Sequence, residues 1–197
     1  PAWFGWRRLL QGFVLLLVLL LAIVAVRTWR VDSRQVRTEQ VDLEVPSDAP
    51  QRLAQALRVR TLTSQDPTQF DSSAFQALYA QFGRAFPRVH AALDTTHVNG
   101  LSRLYRWTGH DPSLAPIVLM AHVDVVPIED SLQWEYPPFS GRLAAGHVWG
   151  RGALDDKSSA VGILEALETL LRRGVHPRRT VHVALGHDEE VGGTRGG

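Results

Sequence analysis

Between Ile117 and Gly186 the apolar pattern changes period twice, and that change limits the fold more than any other feature of the chain. Ile117 to Val126 is a continuous apolar run broken only by His122 and Asp124, the pattern of a strand buried on both faces. Pro127 to Ser140, with Trp134, Pro137, Pro138 and Phe139, reads as a loop. Ser158 to Leu171 steps as a helix, with Val161, Leu164, Leu167 and Leu171 on one face, and Arg179 to Gly186 returns to a buried-type strand. Strand, loop, helix, strand predicts parallel pairing in an α/β layer. The fold class expected is therefore α/β, a mostly parallel mixed sheet flanked by helices.

Polar residues interrupt these strands where burial should exclude them. His122 and Asp124 are two apart, so in a strand their side chains share a face and need partners there. One reading is an imidazole that binds a cation through one nitrogen and donates its other N–H to a carboxylate. The other is a His satisfied by a backbone carbonyl beside an Asp that caps a loop. The second strand ends in Gly186-His-Asp-Glu-Glu190, where three successive acids repel one another unless cations neutralise them. Ligands of open α/β sheets collect at the carboxyl ends of strands.

A third acidic element is Gly150-Arg-Gly-Ala-Leu-Asp-Asp-Lys157, which opens onto the helix. Asp155 and Asp156 precede a helix start, where backbone N–H groups and the helix dipole favour negative charge, and an ordinary N-cap is the plain alternative. Of the 21 basic residues only Lys157 is lysine, so the chain's one ammonium falls beside the paired acids. With no cysteine, any metal must be held by His, Asp and Glu. Together His122, Asp124, Asp155, Asp156, Asp188, Glu189 and Glu190 form an oxygen-rich set with an imidazole, which suits Zn²⁺, Mn²⁺ or Co²⁺. His110, His147 and His187 lack such context and are assigned to surface or core.

The amino-terminal end follows a different logic. Leu9 to Val26 is apolar apart from Gln11 and Gly12, close to the roughly 20 residues that span hydrocarbon. Trp3, Trp6 and Trp29 flank it as an interfacial belt, and residues 1–30 are read as an uncleaved, single-pass membrane anchor. A cleaved secretory signal is the alternative, but Ala22-Ile-Val-Ala25 lacks the small-x-small spacing. Arg7 and Arg8 precede the span, while Arg27, Arg30, Arg34 and Arg37 follow it, a count that by itself puts the body in the cytoplasm. Residues 31–50, with Pro46 and Pro50, read as a linker, and the folded domain is expected over 51–197.

Within that domain, Leu53, Ala56, Leu57 and then Ala74, Phe75, Leu78, Tyr79, Phe82 and Phe86 predict two amphipathic helices separated by a turn at Thr63 to Pro67. Leu101 to Trp107 alternates as a strand. With 45% hydrophobic and 21% charged residues, a net charge of +1 and no polybasic tract, the chain gives no reason to expect a nucleic-acid partner. It begins at Pro1 without a methionine and stops seven residues after Glu190, and is expected to be a fragment.

Four segments resemble the M20 family of dinuclear metallopeptidases, most closely its carboxypeptidase S and N-acyl-amino-acid hydrolase branch. They are Leu119-Met-Ala-His-Val-Asp-Val-Val-Pro127, Trp134 to Gly141 ending in PPFSG, Gly150 to Lys157, and Gly186 to Glu190. The resemblance covers Gln51 to Gly197 and implies the amino-terminal part of a zinc-peptidase-like catalytic domain. It implies that His122, Asp155 and Glu190 bind metal, with Asp155 bridging two zinc ions, Mn or Co being alternatives. Asp124 would support His122, Glu189 would be the general acid/base, and the Asp155-Asp156 peptide would be cis.

The implied reaction is amide hydrolysis in peptides or N-acyl amino acids. The remaining metal ligands, and a lid domain through which such proteins form homodimers, would lie beyond Gly197. In the resembling branch the catalytic body lies outside the cytoplasm, which favours an extracytoplasmic domain against the arginine count. The alternatives are a non-catalytic metal-binding relative and a biosynthetic aminoacylase or deacetylase.

Overall fold

The computed structural model describes residues 2–32, 35, 45–66 and 70–196. Most of the expected linker, with Arg34 and Arg37, lies outside these residues, as do Pro67 and the side chain of Trp3. Two compact units result, Pro1–Leu43 and Glu44–Gly197.

The first unit is one helix, α1, Ala2–Trp29. Its stretch Gly5–Trp29 has the length and apolarity to cross a membrane, about 37 Å at 1.5 Å per residue, and none of it is buried. A signal sequence meets the same description.

In the second unit, α2 (Ala49–Arg58), α3 (Ser72–Ala85) and α4 (Pro87–Ala92) lead into the sheet. Asp71 starts α3 by accepting the Ser73 N–H at 2.9 Å, an N-cap. Phe86, read as the last residue of the second helix, stands instead at a break, because Pro87 cannot continue the hydrogen bonding of α3.

The strands are β1 (Asp94–Val98), β2 (Ser102–Trp107), β3 (Ile117–His122) and β6 (Val181–Gly186), in the order β1-β2-β6-β3. β3 and β6 are parallel, joined through helix α5 (Lys157–Arg172). β1 with β2 and β2 with β6 are antiparallel, so the sheet is mixed but not mostly parallel. The expectation failed because β2 lies antiparallel to β6 and because β1 was not read, which pairs with β2 around Asn99-Gly100, a turn with positive φ at both residues. A second hairpin, β4 (Arg142–Ala144) and β5 (His147–Trp149), turns at Ala145-Gly146 for the same reason.

Register settles which face is the core. Val181, Val183 and Leu185 of β6 align with Trp107, Tyr105 and Arg103 of β2, and face Phe75, Phe82, Val161 and Leu164 of the helices. On the other face Val118 and Met120 align with His182 and Ala184, and among the described residues no helix covers them. β3 is an edge strand, and Met120 is 66% exposed, so its apolar run does not report burial on both faces. The run also stops pairing with β6 after His122, and Val125 instead forms a bridge to Leu62.

Candidate metal centre

Three segments meet at one end of the sheet. The parallel register puts His122 opposite Gly186, so Asp188 to Glu190 leave β6 beside the imidazole. The turn before α5 brings the third segment, and the Asp155–Asp156 peptide in it is cis. His122 Nε2 lies 2.8 Å from Asp155 Oδ1 and 3.8 Å from Glu189 Oε2. One ligand atom each from His122, Asp155 and Glu190 fall within 4.8 Å of one another.

The opposite side of the imidazole is held. Nδ1 lies 3.2 Å from Asp124 Oδ1 and 3.2 Å from the Asp124 carbonyl, which places its proton there and leaves Nε2 for a ligand. Asp124 is fully buried. Its carboxylate accepts the Thr63 hydroxyl at 2.9 Å and the backbone N–H groups of Glu189 and Glu190 at 3.3 and 3.0 Å. One buried carboxylate therefore orients both His122 and the segment carrying the two glutamates.

The titration behaviour follows from these contacts. The Asp124 hydrogen bond raises His122 to about 9, against burial and with help from Asp155. Burial pushes Asp124 upward, but His122, the Glu190 N–H and Thr63 outweigh it and hold the carboxyl below its ordinary value. Burial, and then the charge of the neighbouring Asp155, push the Glu190 carboxyl above its ordinary value. An imidazole whose Nε2 points at Asp155 and Glu189, among carboxylates that repel one another, fits a divalent ion of the zinc, manganese or cobalt type.

The other acids of the sequence set fall outside this cluster. Asp156 occupies the N-cap position of α5 without capping it, and its Oδ2 accepts the His122 N–H at 3.3 Å. Asp188 is buried, accepts the Arg195 N–H at 2.7 Å, and has no hydrogen-bond partner at Oδ1 among the described residues. His187 is a core residue, edge-on to Phe75 and 2.5 Å from Ser102 Oγ. Lys157 is fully buried, and burial pushes its ammonium down to about 7 against the pull of Asp124. Thr63 was missed, since a threonine in a turn some sixty residues before its partner carries no local signal.

A cleft of about 220 Å³ beside the cluster is lined by Met120, Ala121, His122, Asp156, Ala184 and Glu189, and opens on the uncovered face of the sheet.

A profile of peptidase family M20/M25/M40 matches residues 118–197, which contain all three clustered residues. Carboxypeptidase S of Saccharomyces cerevisiae is 40% identical over 155 residues, covering 74% of this chain and 27% of that protein. The N-fatty-acyl-amino acid synthase/hydrolase PM20D1 of Xenopus tropicalis is 36% identical over 197 residues, 95% of this chain and 38% of that one.

The chain belongs to the M20 peptidase family.

Its similarity runs to the carboxypeptidase S and PM20D1 branch, and it spans well under half the length of the curated relatives it matches. Two solved structures agree with it in outline. Human carnosine dipeptidase 1 matches with a TM-score of 0.61 at 18% identity, over 75% of this chain and 33% of that one. An M20 family metallo-carboxypeptidase from Sulfolobus solfataricus matches with 0.61 at 16%, over 76% and 33%. These similarities support the mixed α/β sheet with flanking helices as part of an M20 catalytic domain.

Proposed function

We propose that the whole protein hydrolyses amide bonds in peptides or N-acyl amino acids at a dinuclear zinc site. The observation that carries this is the approach of His122, Asp155 and Glu190 to within 4.8 Å, with His122 oriented from behind by buried Asp124. His122 through Nε2, Asp155 and Glu190 are the residues of this chain that would hold the metal. Bound zinc supplies a Lewis acid that polarises the scissile carbonyl and acidifies a water.

The chain's own residues do the rest. Glu189 stands at the rim of the cluster with its carboxylate half-exposed, able to take a proton from water and return it to the leaving amine. Asp124 keeps His122 in the tautomer that offers Nε2. Its hold on the Glu189 and Glu190 N–H groups fixes where both side chains start. Names of the relatives support the substrate class: one is a carboxypeptidase, the other acts on N-fatty-acyl amino acids.

We further propose that α1 is a single-pass anchor and that residues 51–197 form part of an extracytoplasmic catalytic domain. Homodimerisation through a lid belongs to the same proposal. Protease protection in sealed vesicles tests the orientation, and a protected catalytic body overturns it.

The activity is tested with Glu189→Gln in the whole protein. Hydrolysis of an N-acyl amino acid falls by about three orders of magnitude or more, with bound metal unchanged. Retained turnover refutes the role of Glu189, and a parent protein without bound metal refutes the site.

A further inference from the structure

The only lysine of the chain is used inside the protein. Lys157 is fully buried, and its Nζ donates to the carbonyls of Val59 at 2.6 Å and Ala56 at 3.2 Å. Both belong to the carboxyl end of α2, where the helix dipole favours a cation, and each also accepts one backbone N–H, Ala56 that of Val59 at 3.2 Å and Val59 that of Thr61 at 3.1 Å. The stem of the lysine is covered by the turn that precedes α5. Gly152 has φ +85, its carbonyl accepts the Lys157 N–H at 3.1 Å, and a Cβ there would lie 3.4 Å from Lys157 Cδ and 2.8 Å from Val125.

The backbone leaving α2 continues to the other half of the site. Val125 N–H donates to the Thr61 carbonyl at 2.9 Å, and Thr63 N–H donates to the Val125 carbonyl at 3.1 Å. The Thr61 hydroxyl donates to the Val123 carbonyl, and that of Thr63 to Asp124. A closed circuit results: Asp155, Lys157, the end of α2, Thr61 to Thr63, Val123 to Val125, His122, and back to Asp155. Its two ligand-bearing arms are some thirty residues apart in sequence, and the ammonium joins them from behind.

We propose that Lys157 is a positioning residue of the metal site, holding the Asp155 turn at a set separation from His122 through its bonds to Ala56 and Val59. This rests on the reading of His122, Asp155 and Glu190 as metal ligands. An ammonium suits the task where a guanidinium does not, because two carbonyls converge on one compact donor in a space closed by Gly152. Arginine, which the chain uses everywhere else, is too broad and planar for it.

The test uses the full chain in detergent and titrates it with Co²⁺. The parent binds Co²⁺ and His122→Ala does not. Lys157→Met, which keeps the stem and removes the donor, binds about ten- to a hundredfold more weakly and with a changed d–d absorption spectrum, while its near-ultraviolet circular dichroism is retained. Lys157→Cys introduces the only thiol. Aminoethylation in the unfolded state followed by refolding restores an ammonium at lysine length, and Co²⁺ affinity returns, whereas propylation does not restore it.

Parent-like Co²⁺ affinity and spectrum in Lys157→Met overturn the proposal while leaving the metal site standing. A parent indistinguishable from His122→Ala overturns both. Should Lys157→Met lose its fold, the parent labelled with ¹⁵N-lysine decides. It shows a single, exchange-protected Nζ resonance that shifts on adding Zn²⁺; a freely exchanging or unresponsive resonance refutes the tie.

Discussion

Replacing Asp124 by asparagine removes one charge and almost no volume, and it tests whether a single carboxylate organises the site. Both oxygens of Asp124 face donors. Oδ1 accepts the Glu189 N–H and lies 3.2 Å from His122 Nδ1, while Oδ2 accepts the Thr63 hydroxyl and the Glu190 N–H. An amide offers one oxygen, so either orientation sets an NH₂ group against a backbone N–H. Placed at Oδ2, it orphans the Glu190 N–H, since the Thr63 hydroxyl can turn and the backbone cannot. Placed at Oδ1, it orphans the Glu189 N–H and donates to Nδ1, driving the imidazole proton onto the nitrogen that faces Asp155.

Leaving a buried donor unpaired costs about 1 to 3 kcal/mol, and the remaining bonds lose their charge assistance, so the chain should be destabilised by about 2 to 4 kcal/mol. Metal affinity should fall about ten- to a hundredfold through the loss of the supporting partner. Urea unfolding of the metal-free chain reads the first quantity and zinc titration the second. An Asp124→Asn protein with the parent's unfolding midpoint and zinc affinity would refute the assignment of Asp124 as the organiser of His122.

Other predictions follow from single contacts. His122 is raised from 6.5 to about 9 in the metal-free chain, so its contribution to stability is complete below about 6.5 and is lost as pH rises through about 9. Because that proton must leave before Nε2 takes an ion, apparent zinc affinity should rise about tenfold per pH unit across this window and flatten above it; a flat profile refutes the coupling. Gly141 has φ +54, and a Cβ there would sit 2.1 Å from the Ala54 carbonyl oxygen, so Gly141→Ala should destabilise by about 3 kcal/mol or more in urea unfolding. Val118 is exposed on the edge strand β3, and Val118→Lys should lower concentration-dependent light scattering without moving the unfolding midpoint.

The unit β3, α5, β6 was legible because each element declares itself by local periodicity, and one helix between two strands leaves parallel pairing as the accessible arrangement. The rest of the sheet was not. The Asn99-Gly100 turn was an unused signal for β1, and the antiparallel placing of β2 against β6 depends on residues some eighty positions apart. The apolar run of β3 was misread as buried on both faces, since hydrophobicity tells what a side chain tolerates and not whether a neighbour covers it.

At the site, the sequence alone determined the chemistry on offer: no thiol, one imidazole and one acid at a strand end, an acidic pair before a helix and three acids after a second strand. Only the tertiary structure decided which of these meet. It gathers His122, Asp155 and Glu190, turns Asp188 toward Arg195, and gives Asp156 to the His122 backbone instead of the helix. It also supplies the partners no local pattern announces, Thr63 behind Asp124 and the end of α2 behind Lys157. The physical reason is that residue type is a property of position in the chain, whereas hydrogen bonding and coordination act over a few ångströms, a distance that folding alone creates between residues far apart in sequence.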